Sequence, residues 1–502
     1  MMRSTTRVRL RRISQGLFLA CFFVLFLILV DAPAGTDQLA HDMGFRWSPA
    51  FVLCLADPLA SLSAFVAGRG ADHLIIVPLV VIALCLVIPR WFCSHVCPLG
   101  TLIDLAGALR GKRREKSLAG LKFIKYGLLG AVVVFALLAI PVTGLLTPLP
   151  ILTRAVRAGA ELLARRISVH VLWLGALFVI LSLSLLRRRF WCNYLCPTGA
   201  FLSVLSRFSL RRRTKTDACV ECGRCAEACS FDAVHPSTFD AGADCAYCGQ
   251  CARVCKPDAI RFGPAAAPVP LNIGRREFIA GACVTGGLLA VGGPLSLMRS
   301  PVLLRPPGAL PEDDFLARCV RCGQCAQTCP GPAISLAGLE VGLAAYGTPV
   351  VVPERAGCSP NCNNCGRVCP TGAITHLPLD EKNSVVMGTA RFRQDLCLPI
   401  REEENCLVCY DICNKAGHKA IELEDLVVYL DDSFDALEDT RTVLKIPRID
   451  PSKCTGCGLC VMACMEKNVR ERGVLAKPAV WIDPERKPAD GRIEEKEEEV
   501  KT

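Results

Sequence analysis

The sequence predicts an α+β protein in which an apolar, multi-helix half leads into compact cysteine-rich modules of short helices and strands. Three observations carry this reading. Apolar runs long enough to cross a bilayer recur through the first 186 residues. Most of the 32 cysteines fall into quartets of regular spacing downstream of those runs. Short Ala-Ile segments, typical strand starts, follow several quartets. Of the 502 residues 52% are hydrophobic, and the formal net charge is +11. The bases crowd beside the apolar runs, as topology signals do, and the tail from Glu494 to Glu499 is rich in acid. The charge therefore marks a membrane protein and not a nucleic-acid partner.

The apolar runs lie near 15–33, 73–90, 121–141 and 168–186. A fifth stretch, Pro49 to Gly68, is interrupted by Asp57-Pro58 and reads as a re-entrant or surface helix, because a full span would bury that aspartate. Residues 1–16, 90–122 and 187–215 hold 5, 7 and 8 Lys and Arg, whereas the alternate segments 34–72 and 142–167 hold 2 and 4. The basic segments face the cytoplasm on this count, and the N-terminus with them.

Six cysteine quartets follow. They are Cys219, Cys222, Cys225 and Cys229; Cys245, Cys248, Cys251 and Cys255; Cys319, Cys322, Cys325 and Cys329; Cys358, Cys362, Cys365 and Cys369; Cys397, Cys406, Cys409 and Cys413; and Cys454, Cys457, Cys460 and Cys464. Four obey C-x2-C-x2-C-x3-C; the quartets at 358 and 397 stretch the first gap. Cysteines three apart wrap three thiolates around one face of an iron–sulfur cube. The fourth starts a helix, points away and ligates the neighbouring cube. Cys219, Cys222, Cys225 and Cys255 would thus hold one [4Fe–4S] cluster, and Cys229, Cys245, Cys248 and Cys251 a second. The last four quartets could pair neighbour with neighbour, or first with last and second with third. Disulfides and zinc are the rival readings. Two-residue gaps repeated six times suit neither a disulfide network nor zinc, which has no use for a fourth cysteine at fixed offset. Cys329-Pro330 and Cys369-Pro370 carry a trailing proline, and Pro332-Ala333-Ile334, Thr371-Gly372-Ala373-Ile374 and Pro257-Asp258-Ala259-Ile260 supply the turn into a strand.

Cys93, Cys97, Cys192 and Cys196 form two copies of C-x3-C-P, after Arg90-Trp91-Phe92 and Arg189-Phe190-Trp191. Their matching positions read as an internal repeat. The four thiolates either converge on a seventh cluster or act as redox or structural dithiols. Cys21, Cys54, Cys85 and Cys283 stand alone in apolar stretches and read as small hydrophobes. Phe231, Tyr247 and Phe262 read as packing around the clusters.

Gly274-Arg275-Arg276-Glu277-Phe278-Ile279 has a twin-arginine pattern before a glycine-rich apolar run to about Met298, the address for exporting a folded protein. Clusters built in a reducing compartment need that route. Without a small-x-small cleavage site before Arg299, a retained anchor is expected, leaving two clusters inside and four outside. The organisation is then a four-span membrane domain (1–210), a cytoplasmic two-cluster module (211–265), a signal anchor (266–300), a periplasmic four-cluster domain (301–475) and a charged tail (476–502). In full, the fold class is α+β, a multi-helix membrane domain with ferredoxin-like modules on both sides of the inner membrane.

Residues 1–262 resemble the NapH/MauN type of membrane ferredoxin through Asp57-Pro58-Leu59-Ala60, Trp91 to Gly100 and Phe190 to Gly199. Residues 274–470 resemble its exported partner, the NapG/MauM type, through the twin-arginine start, Phe315 to Cys319 and the four uneven quartets. The chain looks like a fusion of the two. The resemblance implies a quinol dehydrogenase module that draws on the quinone pool and delivers electrons to a periplasmic redox protein such as a cytochrome or molybdenum reductase. Thr147-Pro148 stands where relatives often repeat Asp-Pro. Candidate quinol residues are Asp57 and His73, expected near the outer face, with His170 at the outer start of the fourth span. The alternatives are an electron conduit from a cytoplasmic donor and a maturation factor for respiratory complexes. No C-x2-C-H haem site, dinucleotide fingerprint, P-loop or nucleophilic triad is present.

Overall fold

The computed structural model describes residues 4–31, 56–68, 76–109, 118–163, 171–235, 238–265, 268–269, 274–297, 301–401, 404–429 and 441–485. The apolar half forms a helical bundle: α1 (Ser4–Asp31), α2 (Pro58–Gly68), α3 (Ile76–Val87), α4 (Pro98–Leu109), α5 (Phe123–Leu137), α6 (Pro148–Leu163), α7 (Val171–Leu186) and α8 (Pro197–Ser206). The runs expected as spans become α1 and three helices of 12, 15 and 16 residues. Two of these, α3 and α7, stop where Arg90 and Arg189 enter left-handed conformations, φ 51° each, and the chain widens into π-helical turns over Phe92–Val96 and Trp191–Leu195. Among the described residues, one helix is long and apolar enough to cross a membrane, Arg275–Pro294. It lies within α9 (Arg275–Leu297).

The helix after Asp57-Pro58 does not lie on the surface. Leu59, Ala60 and Ala64 of α2 are buried, and α2 packs against α3, α5 and α8. Its start is fixed by Asp57, whose Oδ1 accepts from the Leu59 and Ala60 amides, an N-cap that satisfies two otherwise unpaired donors.

The twin-arginine helix packs along α5 through small residues. A Cβ at Gly127 would meet the Gly281 carbonyl oxygen at 2.7 Å, so only glycine permits this approach. The Thr285 hydroxyl then donates to the Gly127 carbonyl at 2.8 Å. Close backbone contact at small residues is how helices associate without a hydrophobic driving force.

Among the described residues, the cysteine-rich parts contain four antiparallel two-stranded sheets. β1 (Arg211–Lys215) pairs with β2 (Ile260–Pro264) and brackets the first module; β3 (Ile334–Leu336) pairs with β4 (Pro349–Val351). β5 (Thr389–Phe392) pairs with β8 (Val480–Asp483), and β6 (Ile421–Tyr429) forms a long hairpin with β7 (Arg441–Ile449). The strands expected after Cys255 and Cys329 are present as β2 and β3, and Ile374 makes a bridge with Ala309. The core of residues 304–482 holds Cys319, Cys325, Cys365, Cys397, Cys409, Cys454, Cys460 and Cys464 among its buried side chains.

The small module and the large domain sit at opposite ends of α5. Lys122 and Lys125, at its start, grip Asp244 of the module. Just past its other end, the Pro141 carbonyl accepts from the Arg321 guanidinium of the domain, and Gly144 lies against the Val320 carbonyl. At 1.5 Å per residue the 15-residue helix separates them by roughly 22 Å.

Candidate metal centres

In the quartets with even spacing, the residue before the second cysteine and the glycine after it are both left-handed. These are Glu221 and Gly223, Tyr247 and Gly249, Arg321 and Gly323, and Gly456 and Gly458, with φ between 51° and 79°. Two such residues reverse the chain so that successive thiols turn to one centre. At Gly458 the close approach of Pro353, 2.8 Å from where a Cβ would stand, excludes any side chain as well. The stretched quartets use another route, with Asn363 and Leu407 at φ −130° and −110° in the corresponding place.

Every described cysteine is a free thiol. Cys229 lies among Cys245, Cys248 and Cys251, across from its own quartet, as the exchange of fourth cysteines requires. In the large domain, Cys369 joins Cys319, Cys322 and Cys325, while Cys329 joins Cys358, Cys362 and Cys365. Cys464 joins Cys397, Cys406 and Cys409, and Cys413 joins Cys454, Cys457 and Cys460. Pairing is therefore neighbour with neighbour. The two pairs abut: the Cys358 amide donates to the Cys457 carbonyl at 2.7 Å. The four centres form a row, with the Cys319 group at one end and the Cys397 group at the other.

These groups fit a cube of iron and sulfur. Cys329, Cys358, Cys362 and Cys365 line one pocket, and Cys397, Cys406, Cys409 and Cys464 another, both otherwise mainly apolar. Backbone amides point at the sulfurs, from Ala233 to Cys229, Ile374 to Cys369 and Ala420 to Cys413, each at 3.3 Å. Among the described residues no three His, Cys, Asp or Glu side chains are close enough to share a single ion. Thiolates at the corners of a cube stand wider apart than that. Burial pushes the Cys245 thiol up to about 12 and those of Cys319 and Cys457 to about 11. Metal must therefore displace their protons on binding.

The Cys319 group is seated on the bundle. The Thr153 hydroxyl of α6 donates to the Cys322 carbonyl at 3.2 Å, and Gln327 Nε2 returns a bond to the Thr153 carbonyl at 2.9 Å. Arg154 is buried beside Cys319 and Cys322 with no partner for any guanidinium nitrogen, and stacks 4.4 Å over Trp173. A guanidinium so placed is a ready donor to the sulfur of a bound cluster.

The two C-x3-C-P motifs meet. Cys97 lies among Cys93, Cys192 and Cys196. Gly100 and Gly199 donate their amides to the Cys97 and Cys196 sulfurs at 3.3 Å in matching turns. The arginine before each motif crosses to the other: Arg90 donates to the Cys192 carbonyl at 3.5 Å and Arg189 to the Cys93 carbonyl at 3.1 Å.

Sequence comparison agrees with this chemistry. A 4Fe–4S binding domain family matches residues 73–117 and 169–216, and a second 4Fe–4S binding domain family matches 447–464. The chain is 38% identical to the ferredoxin-type protein NapG of Escherichia coli over 224 residues, which is 42% of this chain and 86% of that protein. It is 36% identical over 204 residues to the methylamine utilization ferredoxin-type protein MauM of Paracoccus denitrificans, covering 39% and 84%. The chain belongs to the NapG/MauM family of ferredoxin-type proteins. A putative electron transport protein, YccM of Escherichia coli, is 28% identical over 240 residues, covering 43% and 62%. No solved structure matches. This NapG/MauM-type chain is an iron–sulfur protein of electron transfer that binds [4Fe–4S] clusters.

Not every sequence-predicted residue lies where expected. Asp57 is fully buried, and accepts from the Thr198 hydroxyl at 3.2 Å directly behind Cys196-Pro197. It lies beside the C-x3-C-P thiols, next to Cys196, where α2 caps on it. His73, His170 and Cys54 fall outside the described residues. Cys85 is buried as a small hydrophobe, whereas Cys21 and Cys283 are exposed on the bundle. Phe231 is packing of an unusual kind, with the guanidiniums of Arg189, Arg90 and Arg11 at 4.2, 5.3 and 5.7 Å from its ring centre. Sequence reasoning missed the crossing arginines; the repeated Arg-aromatic-aromatic-Cys was the available signal.

The exchange of fourth cysteines has a direct consequence. Cys329→Ser should remove the centre of Cys358, Cys362 and Cys365 and spare that of its own quartet. Anaerobic iron analysis should fall by about four atoms per chain, and the Cys369→Ser variant should lose a different paramagnetic signal.

Proposed function

We propose that this chain is a membrane-bound quinol dehydrogenase module that carries six [4Fe–4S] clusters and passes electrons to an acceptor outside the cytoplasm. The single observation that carries this reading is the seating of the Cys319 group on the apolar bundle, at the head of a row of four groups. A redox centre at a bundle surface can take electrons from a lipid-soluble donor and hand them along the row. Large apolar side chains left exposed on the bundle, among them Leu137, Leu172, Phe178, Leu186 and Phe278, are those expected against lipid. The Lys and Arg asymmetry places the 211–265 module inside, and the twin-arginine helix, docked on α5, acts as a retained anchor that leaves 301–475 outside.

The NapH-like bundle and the NapG-like domain are then two usually separate components in one chain. Asp57, beside the four thiols, and His73 are the proton acceptors this reading assigns to the quinol. The acceptor is a periplasmic cytochrome or molybdenum reductase. Anaerobic membranes treated with a menaquinol analogue should reduce a substantial share of the clusters, read by electron paramagnetic resonance. Reduction only by a strong low-potential reductant would sink the quinol reading. It would favour a second one, a conduit from a cytoplasmic donor. The clamp of Asp244 on the bundle supports that alternative, since it ties the 211–265 module to the bundle core.

A further inference from the structure

We propose that Arg154 of the bundle completes the Cys319 centre: its guanidinium donates to the cluster held by Cys319, Cys322, Cys325 and Cys369 and raises that cluster's reduction potential, so that the centre seated on the bundle is the first of the row to be reduced. The proposal rests on the reading of the quartets as cluster sites and adds what sets the order in which they fill.

Burial is the first observation. Arg154 is 1% exposed, and none of its three guanidinium nitrogens has a hydrogen-bond partner among the described residues. A buried cation with its hydrogen bonds unmade is costly, so a fold that keeps one has a counter-charge for it. Trp173 of α7 gives the charge a seat, with its ring centre 4.4 Å from the guanidinium carbon. That contact supplies the N–H groups with neither a carbonyl nor a carboxylate.

Position is the second. Arg154 reaches into the cysteine loop and lies beside Cys322 and Cys319. A Cβ on Gly323, the residue after Cys322, would stand 3.7 Å from Arg154 Cγ, and one on Gly347 would stand 3.5 Å from its Nη2. Thr153, next to it on α6, holds the same loop through the Cys322 carbonyl.

The third is the contrast with the other polar side chains around the row. Arg321, equally buried, spends its donors on the carbonyls of Tyr346, Ala344 and Pro141. Lys382, beside Cys358, bonds the Ser359 carbonyl at 2.6 Å and Asn383 Oδ1 at 3.3 Å. At the far end of the row the donor is neutral: Asn468 Nδ2 lies 3.4 Å from Cys406 Sγ and 3.7 Å from Cys464 Sγ. A full charge with every donor still unspent stands at the bundle end.

The consequence is electrostatic. Net charge and hydrogen bonds to the sulfurs set the potential of a thiolate-held cluster. Reduction adds one negative charge, and Arg154 stabilises that charge through charge-assisted hydrogen bonds. The thiolates belong to the domain and the guanidinium to the bundle, so the raised potential exists only where the two are docked. A mildly reducing, lipid-soluble donor needs an entry centre of that kind.

The test is a dye-mediated redox titration of the full-length protein, purified anaerobically and read by electron paramagnetic resonance. Loss of a signal in the Cys369→Ser variant marks the one that belongs to the Cys319 group. In the unmodified protein that signal should have the highest midpoint of the four domain centres. Arg154→Met should lower its reduced-to-oxidised ratio at a fixed potential ~30-fold, which is about 90 mV at about 59 mV per tenfold for one electron. Arg154→Gln, with a neutral donor, should fall between, and Arg154→Lys, with the charge, should lie nearest the unmodified protein. The other signals should not move. Equal midpoints across the series, or equal shifts in every signal, overturn the proposal. If Arg154→Met loses about four iron atoms, the Gln and Lys variants decide, since their midpoints must still differ in that order. Absence of [4Fe–4S] signals from the unmodified protein sinks the quartet reading instead. A midpoint that shifts as expected in a protein no quinol reduces sinks the quinol reading alone.

Discussion

Anaerobic removal of iron should unfold the domain between residues 301 and 485 in one cooperative step. Its core is built on buried cysteines, and its sheets are pairs of strands, three of residues 334–336 and 349–351 and four of 389–392 and 480–483. Two-stranded sheets of that length have little stability of their own. Metal binding to a site that the unfolded chain lacks supplies folding energy outright, on the scale of roughly 10 kcal/mol for a structural zinc site. Four such sites share one core here. Far-ultraviolet circular dichroism and amide exchange on the chelated protein should both report an unfolded domain. The helical bundle, whose core is mostly aliphatic and aromatic, should keep its helices. A domain that stays folded after iron loss would mean that the apolar packing suffices without clusters.

The second large effect is expected at Asp244. Its carboxylate meets Lys125 at 2.5 Å and Lys122 and Arg90 at 3.3 Å each, and accepts from the Ser203 hydroxyl at 2.6 Å. Burial alone would raise this carboxyl; Lys125, Lys122 and Arg90 together outweigh it and hold it far below the ordinary carboxylate range. A depressed carboxyl stabilises at every pH above its unfolded value near 4 and loses that contribution as pH falls toward its folded value. Docking of the 211–265 module should therefore be flat between pH 5 and 7 and weaken on the acid side only below about pH 4. Asp244→Asn leaves three cations facing a neutral amide, at a cost of about 3–5 kcal/mol. Limited proteolysis should then release the module near residues 207–210 at neutral pH. A variant as resistant as the parent would mean that Phe231, with the contacts of Asp232 to the Tyr194 hydroxyl and to Lys122, holds the module by itself.

The sequence by itself determined the chemistry of the ligands and their local geometry. Cysteines at intervals of three, with a fourth on a short helix, are dictated by the cube they surround, and that grammar is written in consecutive residues. The strands after Cys255 and Cys329, the repeat of the two C-x3-C-P motifs and the small-residue character of the twin-arginine helix were readable for the same reason. Each depends on neighbours within a few positions along the chain.

Only the tertiary structure decided which groups meet. Cys329 and Cys369 are each four residues from their own third cysteine, yet each turns to the other quartet, and Cys413 and Cys464 do likewise across 51 residues of chain. Both pairings proposed from sequence satisfy the local spacing. The choice falls to long-range packing, here the contact of Gly458 with Pro353 and the Cys358–Cys457 bond. The position of Asp57 was hidden similarly, because an Asp-Pro pair announces a helix start but not what that start faces. The convergence of Cys93, Cys97, Cys192 and Cys196 depends on two arginines crossing between halves of the bundle. A one-dimensional pattern encodes which side chains can make such a bond; only the folded chain decides which of them come within reach.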